Sequence, residues 1–147
     1  MAHLTQIEFE HTFEAAHHLP DSKGLTTKKC LNNHGHTYGV RVFVEAQKLT
    51  DDFVVDFGTI KSTIDRLDHA QLLWTEDEKW TEFMENENPL MTTVYLPYPP
   101  TAENIAHYIF DSLCDEMPVD ALVTEVWVAE GMKPGKVAWV KYREVEE

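Results

Sequence analysis

Basic residues are scarce in this chain: 12 Lys and Arg stand against 26 Asp and Glu, for a formal net charge of -14 over 147 residues. That balance excludes nucleic acid or an anionic membrane surface as a general partner, because both are held through basic patches. An anionic ligand would need local positive charge. Cysteine is nearly missing too, with only Cys30 and Cys114, too few for a disulfide framework in a domain of this size. Free thiols are expected. Long hydrophobic runs are also lacking: nothing approaches the roughly 20 apolar residues that cross a bilayer, and Met1 to Gln6 offers no basic region leading into an apolar core. A cytoplasmic location is the default expectation. The chain carries no internal repeat and no low-complexity tract.

What is present reads as one ordinary globular domain spanning residues 1–147, since 43% hydrophobic and 26% charged residues suffice for a real core at this length. Ile7, Phe9 and Phe13 alternate with Glu8, Glu10, Thr12 and Glu14, the period of a half-buried strand. The same parity runs through Ala15 to His17. Residues 21–33 hold Gly24, three lysines and two asparagines and read as a loop. A second strand follows from Gly35 to about Gln47, with Tyr38, Val40, Val42 and Val44 in phase with His34 and His36.

After Asp56, an N-cap residue, the spacing of Ile60, Ile64, Leu67 and Gln71 to Leu72 becomes helical. A second helix is predicted from Thr101, with Ala102, Ile105, Ile109 and Leu113 in phase and Pro118 beyond its end. The acidic stretch from Trp74 to Pro100 reads as an excursion or long loop, with the apolar run Met91 to Leu96 as an extra strand within it. Strands from Ala121 to Ala129 and from Lys136 to Tyr142 close the chain around a glycine turn. The expected architecture is α+β, a four-stranded antiparallel sheet with two helices on one face in the order β-β-α-α-β-β.

The chemistry concentrates in three histidines. His34 and His36, two residues apart on a strand, project from one face and can close on one ion. His17 on the neighbouring strand completes a His3 set, which leaves tetrahedral zinc one open position, the mark of a catalytic rather than a structural site. The duller reading is three hydrogen-bonded core histidines. His18 has the opposite parity and falls outside the set, as do His3, His11 and His107. Cys30 lies four residues before His34 and has two readings, a fourth zinc ligand closing the site or a nucleophile or base beside an open one. Lys28 and Lys29 next to it would favour thiolate.

Asp68-His69, at the end of the first predicted helix, offers a carboxylate that can orient an imidazole for proton transfer. Glu130 ends the third strand on its apolar parity, either as a salt-bridged strand end or as an acceptor for adjacent N–H donors of a ligand. Thr101-Ala102-Glu103 is accounted for by helix capping alone.

Six ordered motifs together resemble a known family: Phe13-x-Ala15-Ala16-His17, Cys30-x-x-x-His34-Gly35-His36, Val55-Asp56-Phe57-Gly58, Leu67-Asp68-His69, Pro100-Thr101-Ala102-Glu103-Asn104 and the late Glu130. They look like the 6-pyruvoyl-tetrahydropterin synthase and 6-carboxytetrahydropterin synthase family, over about residues 5–143. The resemblance implies a tunnelling fold, zinc held by His17, His34 and His36, a catalytic thiol at Cys30 with Asp68 and His69 as proton-relay partners, and Glu130 anchoring the pterin ring. It also extends to Thr101 and Glu103 as substrate contacts, and to a dimer of trimers with active sites between subunits. Lys28 and Lys29, with Lys23, Lys133 and Lys136, are the available counter-charges for a triphosphate. The implied reaction is zinc-dependent conversion of 7,8-dihydroneopterin triphosphate to 6-carboxy-5,6,7,8-tetrahydropterin, a step toward deazapurines such as queuosine. The 6-pyruvoyl product is the alternative, and a non-catalytic zinc-stabilised pterin-binding protein is another. The Trp74 to Pro100 stretch is longer and more acidic than in compact bacterial members, which bears on the oligomer surface.

Overall fold

The computed structural model describes residues 2–87 and 91–147. Its backbone is organised by two long strands, β1 (Thr5–His17) and β2 (His34–Ala46), paired antiparallel without a register break from Thr5↔Ala46 to His17↔His34. Alternation along both strands sends Phe13, Tyr38, Val40, Val42 and Val44 into the core. β5 (Leu122–Glu130) pairs with β2, and β6 (Trp139–Tyr142) pairs with β5, both antiparallel as expected.

The other side of β1 departs from the expected four-stranded sheet. A short strand, β3 (Ala70–Trp74), pairs parallel to β1 through Ala15↔Ala70 and Ala16↔Gln71. Beyond it β4 (Thr93–Leu96) pairs parallel to β3, so the sheet has six strands, mixed in direction, in the order β4-β3-β1-β2-β5-β6. The expected helix through Gln71 and Leu72 in fact stops at Asp65: α1 is Phe57–Asp65, capped at its start by Asp56, whose carboxylate accepts from the Gly58 amide at 2.9 Å. Ala70 to Leu73 are all buried. A strand covered on both faces shows no period of two, which is why helical spacing could be read into it.

The Trp74 to Pro100 excursion is itself folded. It carries α2 (Glu78–Glu87) between β3 and β4, a helical crossover of the kind that parallel pairing requires. The apolar run within it is β4, as expected. α3 (Ala102–Cys114) is the second expected helix, and Thr101 caps it by accepting from the Asn104 amide at 3.1 Å. The described helices thus number three rather than two.

α1 and α3 pack together over one face of the sheet, where Ile60, Ile64, Ile105, Ile109 and Leu113 meet Val126, Val128 and the β1–β2 core residues. Each fully buried aliphatic side chain contributes about 1.5–3 kcal/mol. This core fixes β1 and β2 rigidly, and their ends carry the three histidines. Among the described residues no helix is long and apolar enough to cross a membrane.

Candidate active site

His17 ends β1 and His34 opens β2, directly opposite one another in the register, with His36 two residues on. Their ligand atoms lie within 4.8 Å of one another, the only such group of three among the described residues. His17 is 1% exposed.

Hydrogen bonding sets the direction of the lone pairs. His17 Nδ1 lies 2.7 Å from the Pro100 carbonyl and His34 Nδ1 lies 2.6 Å from the Asn32 carbonyl. A carbonyl only accepts, so each Nδ1 must carry the proton and each Nε2 the lone pair. Those two Nε2 atoms face each other at 3.1 Å. His36 Nε2 is buried without a hydrogen-bond partner. Burial lowers the basicity of His36, and drives the His17 imidazole down to about 4, so neither of these rings readily takes a second proton near neutral pH. Two lone pairs facing each other beside an unpartnered third imidazole nitrogen suit a divalent cation. In a tetrahedral zinc site with N–Zn bonds of ~2.0 Å, neighbouring ligand nitrogens are roughly 3.3 Å apart, close to the 3.1 Å between His17 and His34, and three imidazoles are a donor set that zinc accepts. Carbonyl acceptors behind two of the ligands are the arrangement that orients metal-bound imidazoles.

Tyr38, fully buried, packs its ring against His17 and His36 at centroid distances of 5.7 and 5.4 Å. Burial pushes its hydroxyl pKa upward. Glu130, paired with Tyr38 across β2 and β5, brings its two carboxylate oxygens to 3.8 Å from His17 Nε2 and His36 Nε2. Of its two readings from sequence, the salt-bridged strand end is compatible with these contacts, since the carboxylate faces the imidazoles.

Asp68 and His69 form the expected dyad, His69 Nδ1 lying 2.8 Å from Asp68 Oδ2. The Glu14 backbone holds the turn at two points. Its amide donates to Asp68 Oδ1 at 2.8 Å, and its carbonyl accepts from the His69 amide at 2.6 Å. That first contact lowers the Asp68 pKa, keeping it a carboxylate. His69 sits in the left-handed region at φ 59° and is largely exposed. It lines a cavity of about 480 Å³ with Glu14, His36, Thr37, Gln71 and Met91. Glu14 and Thr37 are cross-strand partners and, by alternation, point to the face opposite the three imidazoles. Among the described residues no hydrogen bond joins the dyad to the imidazole cluster.

Cys30 lies in a one-turn 3-10 helix, Lys29–Leu31, half-buried and free. Its sulfur is not one of the converging donor atoms, so the set is three imidazoles without a thiol. Lys28 pairs with Asp21, while Lys29 and Glu103 are exposed. The Thr101 hydroxyl oxygen is engaged as the α3 cap.

The carbonyls of Pro100 and Asn32 and the Glu14 backbone carry no side-chain signature and were invisible in the sequence. Tyr38 did leave a signal, sharing the parity of His34 and His36. His18, excluded by parity, turns to Asp77 at 2.7 Å and stacks on Trp80, tying the α2 segment to the end of β1.

Comparison with known proteins supplies the family. A protein of Halobacterium salinarum named a probable 6-carboxy-5,6,7,8-tetrahydropterin synthase is 33% identical over 116 residues, covering 79% of this chain and 74% of the relative. The 6-carboxy-5,6,7,8-tetrahydropterin synthase of Haemophilus influenzae is 28% identical over 134 residues, covering 84% and 92%. In structure, the 6-pyruvoyl tetrahydropterin synthase of Caenorhabditis elegans superposes with a TM-score of 0.62 over 98% of both chains at 24% identity, which shows a shared fold. The sequence profile of the 6-pyruvoyl tetrahydropterin synthase family matches residues 6–144, nearly the full length and every residue of the site just described. The chain belongs to the 6-pyruvoyl tetrahydropterin synthase family.

Proposed function

We propose that this chain is a zinc-dependent lyase that converts 7,8-dihydroneopterin triphosphate to 6-carboxy-5,6,7,8-tetrahydropterin, releasing acetaldehyde and triphosphate. The observation that carries the reading is the convergence of three imidazoles beside the Glu130 carboxylate. The carboxy product is favoured over the pyruvoyl one by the names of the relatives from Halobacterium salinarum and Haemophilus influenzae.

His17, His34 and His36 would hold the zinc. When bound, it supplies Lewis acidity toward the hydroxyls of the substrate side chain. Glu130 accepts the paired N–H donors of the pterin ring, a charge-assisted contact that fixes the ring's orientation. The Cys30 thiolate removes a proton from the side chain. His69 takes or returns one, oriented by Asp68 through the Nδ1 contact at 2.8 Å. The reading includes a dimer of trimers with active sites between subunits.

Incubation of the zinc-loaded protein with 7,8-dihydroneopterin triphosphate, followed by mass spectrometry, tests this. The expected outcome is a 6-carboxy pterin with one side-chain carbon retained and a two-carbon aldehyde released. A product keeping all three side-chain carbons would replace this reading with the pyruvoyl one, and no turnover would leave a pterin-binding protein.

A further inference from the structure

Gln71 is a polar residue in the buried strand Ala70–Trp74, and it is itself only 2% exposed. A buried amide among Ala and Leu neighbours is costly unless its donors and acceptor are met. They are met by a reciprocal pair: Asn33 Nδ2 donates to Gln71 Oε1 at 2.9 Å, and Gln71 Nε2 donates to Asn33 Oδ1 at 2.9 Å. The remaining Nε2 contacts go to the carbonyls of Ala16 and Leu72, at 3.4 and 3.3 Å. The amide is saturated by protein and is therefore a holding group, not a free ligand contact.

What it holds has little else to fix it. Asn33 closes the segment that begins with the Lys29–Leu31 turn, a turn with no side-chain cap and no buried residue. Such a short 3-10 turn has no appreciable stability of its own. The segment is tied at its start by the Leu19 amide donating to the Cys30 carbonyl at 2.8 Å, and at its end by Asn33. Cys30 is itself the first tie, Asn32 stands between the two, and the Asn32 carbonyl orients His34 through Nδ1. Gln71 for its part is fixed by the sheet, since it pairs with Ala16 in register and its amide donates to the Thr92 carbonyl at 2.9 Å.

We infer that the Asn33–Gln71 amide pair is a positioning device that holds the Cys30 to His34 segment against the strand following the Asp68–His69 turn, and thereby sets zinc affinity and the exposure of the thiol. The inference rests on the zinc-lyase reading only for what His34 and Cys30 do. Both readouts below are taken without substrate, so a failed turnover assay leaves them standing.

The experiment uses the full chain. Zinc affinity is measured by competition with a chromophoric chelator, and Cys30 alkylation by iodoacetamide is followed by peptide mass spectrometry, which separates it from Cys114. Gln71→Met keeps the volume and removes the amide, and Asn33→Leu removes the partner. Each is expected to weaken zinc binding on the order of tenfold, the worth of two ordinary hydrogen bonds, and to speed Cys30 alkylation. The Asn33→Leu/Gln71→Met double variant is expected to be no weaker than the worse single one, because both break the same pair. Exchanging the two residues, Asn33→Gln with Gln71→Asn, rebuilds the pair at the same overall length and is expected to restore both readouts. Unchanged zinc affinity and alkylation in the single variants would overturn the inference. So would additive losses in the double variant, a comparison that decides the matter even if the exchanged variant folds poorly.

Discussion

His17 and His34 face each other with Nε2 atoms 3.1 Å apart, while their Nδ1 atoms are already committed to the carbonyls of Pro100 and Asn32. Without a cation between them these are two opposed lone pairs, and the His17 ring is buried, so a charge on it is costly. Burial holds His17 at about 4, against 6.5 for an ordinary histidine. Between those values the unfolded chain binds a proton that the folded chain does not, so stability rises with pH across that window. The metal-free protein is expected to lose roughly 3 kcal/mol on acidification through the window, with no further change from this group above it. Urea unfolding at about pH 7 and about pH 4.5 checks this. The loss should be clearly smaller in His17→Gln, and an equal loss in both proteins would remove His17 as its cause.

Metal and pterin binding should separate genetically. Replacing His36 with Ala leaves two imidazoles and should weaken zinc by more than the roughly 10–100-fold typical of partners behind a ligand. Glu130→Gln keeps the shape, loses a charge-assisted acceptor, and should weaken pterin binding about tenfold or more while zinc content stays at wild type. Elemental analysis and fluorescence titration with a pterin make the comparison. Zinc loss in Glu130→Gln would assign the carboxylate to the metal instead.

Cys30→Ala should retain its zinc and its melting temperature, since the thiol is not among the converging donors. Turnover should fall roughly 10²–10⁴-fold, the range for a general acid or base. A variant that loses zinc and stability together would make Cys30 a ligand.

His69 has positive φ, which a non-glycine residue tolerates best as Asn or Asp. His69→Asn is therefore expected to fold normally and to lose turnover by about 10²-fold or more. Asp68→Asn keeps an acceptor for the Glu14 amide and removes the carboxylate charge behind His69, so a smaller loss is expected, with the pH optimum of turnover displaced. A pH profile of turnover for both variants distinguishes orientation of the imidazole from simple damage to the turn.

The ends of the two long strands were legible from residue order alone. Alternation from Ile7 to His17 and from His34 to Val44 placed three imidazoles on one side of a strand pair, and the observed register, which parity permits but does not choose, seats His17 opposite His34. The caps at Asp56 and Thr101 were likewise readable, because a capping side chain acts within three residues of itself. Neither β3 nor the parallel path through α2 to β4 could be read this way. Ala70 to Leu73 are buried on both faces, so their pattern has no period, and their direction depends on Ala15 and Ala16, which lie over fifty residues earlier in the chain. The tertiary structure alone decided which nitrogen of His17 and of His34 faces the cluster, because backbone carbonyls at Pro100 and Asn32 make that choice and a carbonyl belongs to every residue alike. It also decided what Gln71 is for: one amide in an apolar strand reads as an anomaly until Asn33, 38 positions away, is folded against it.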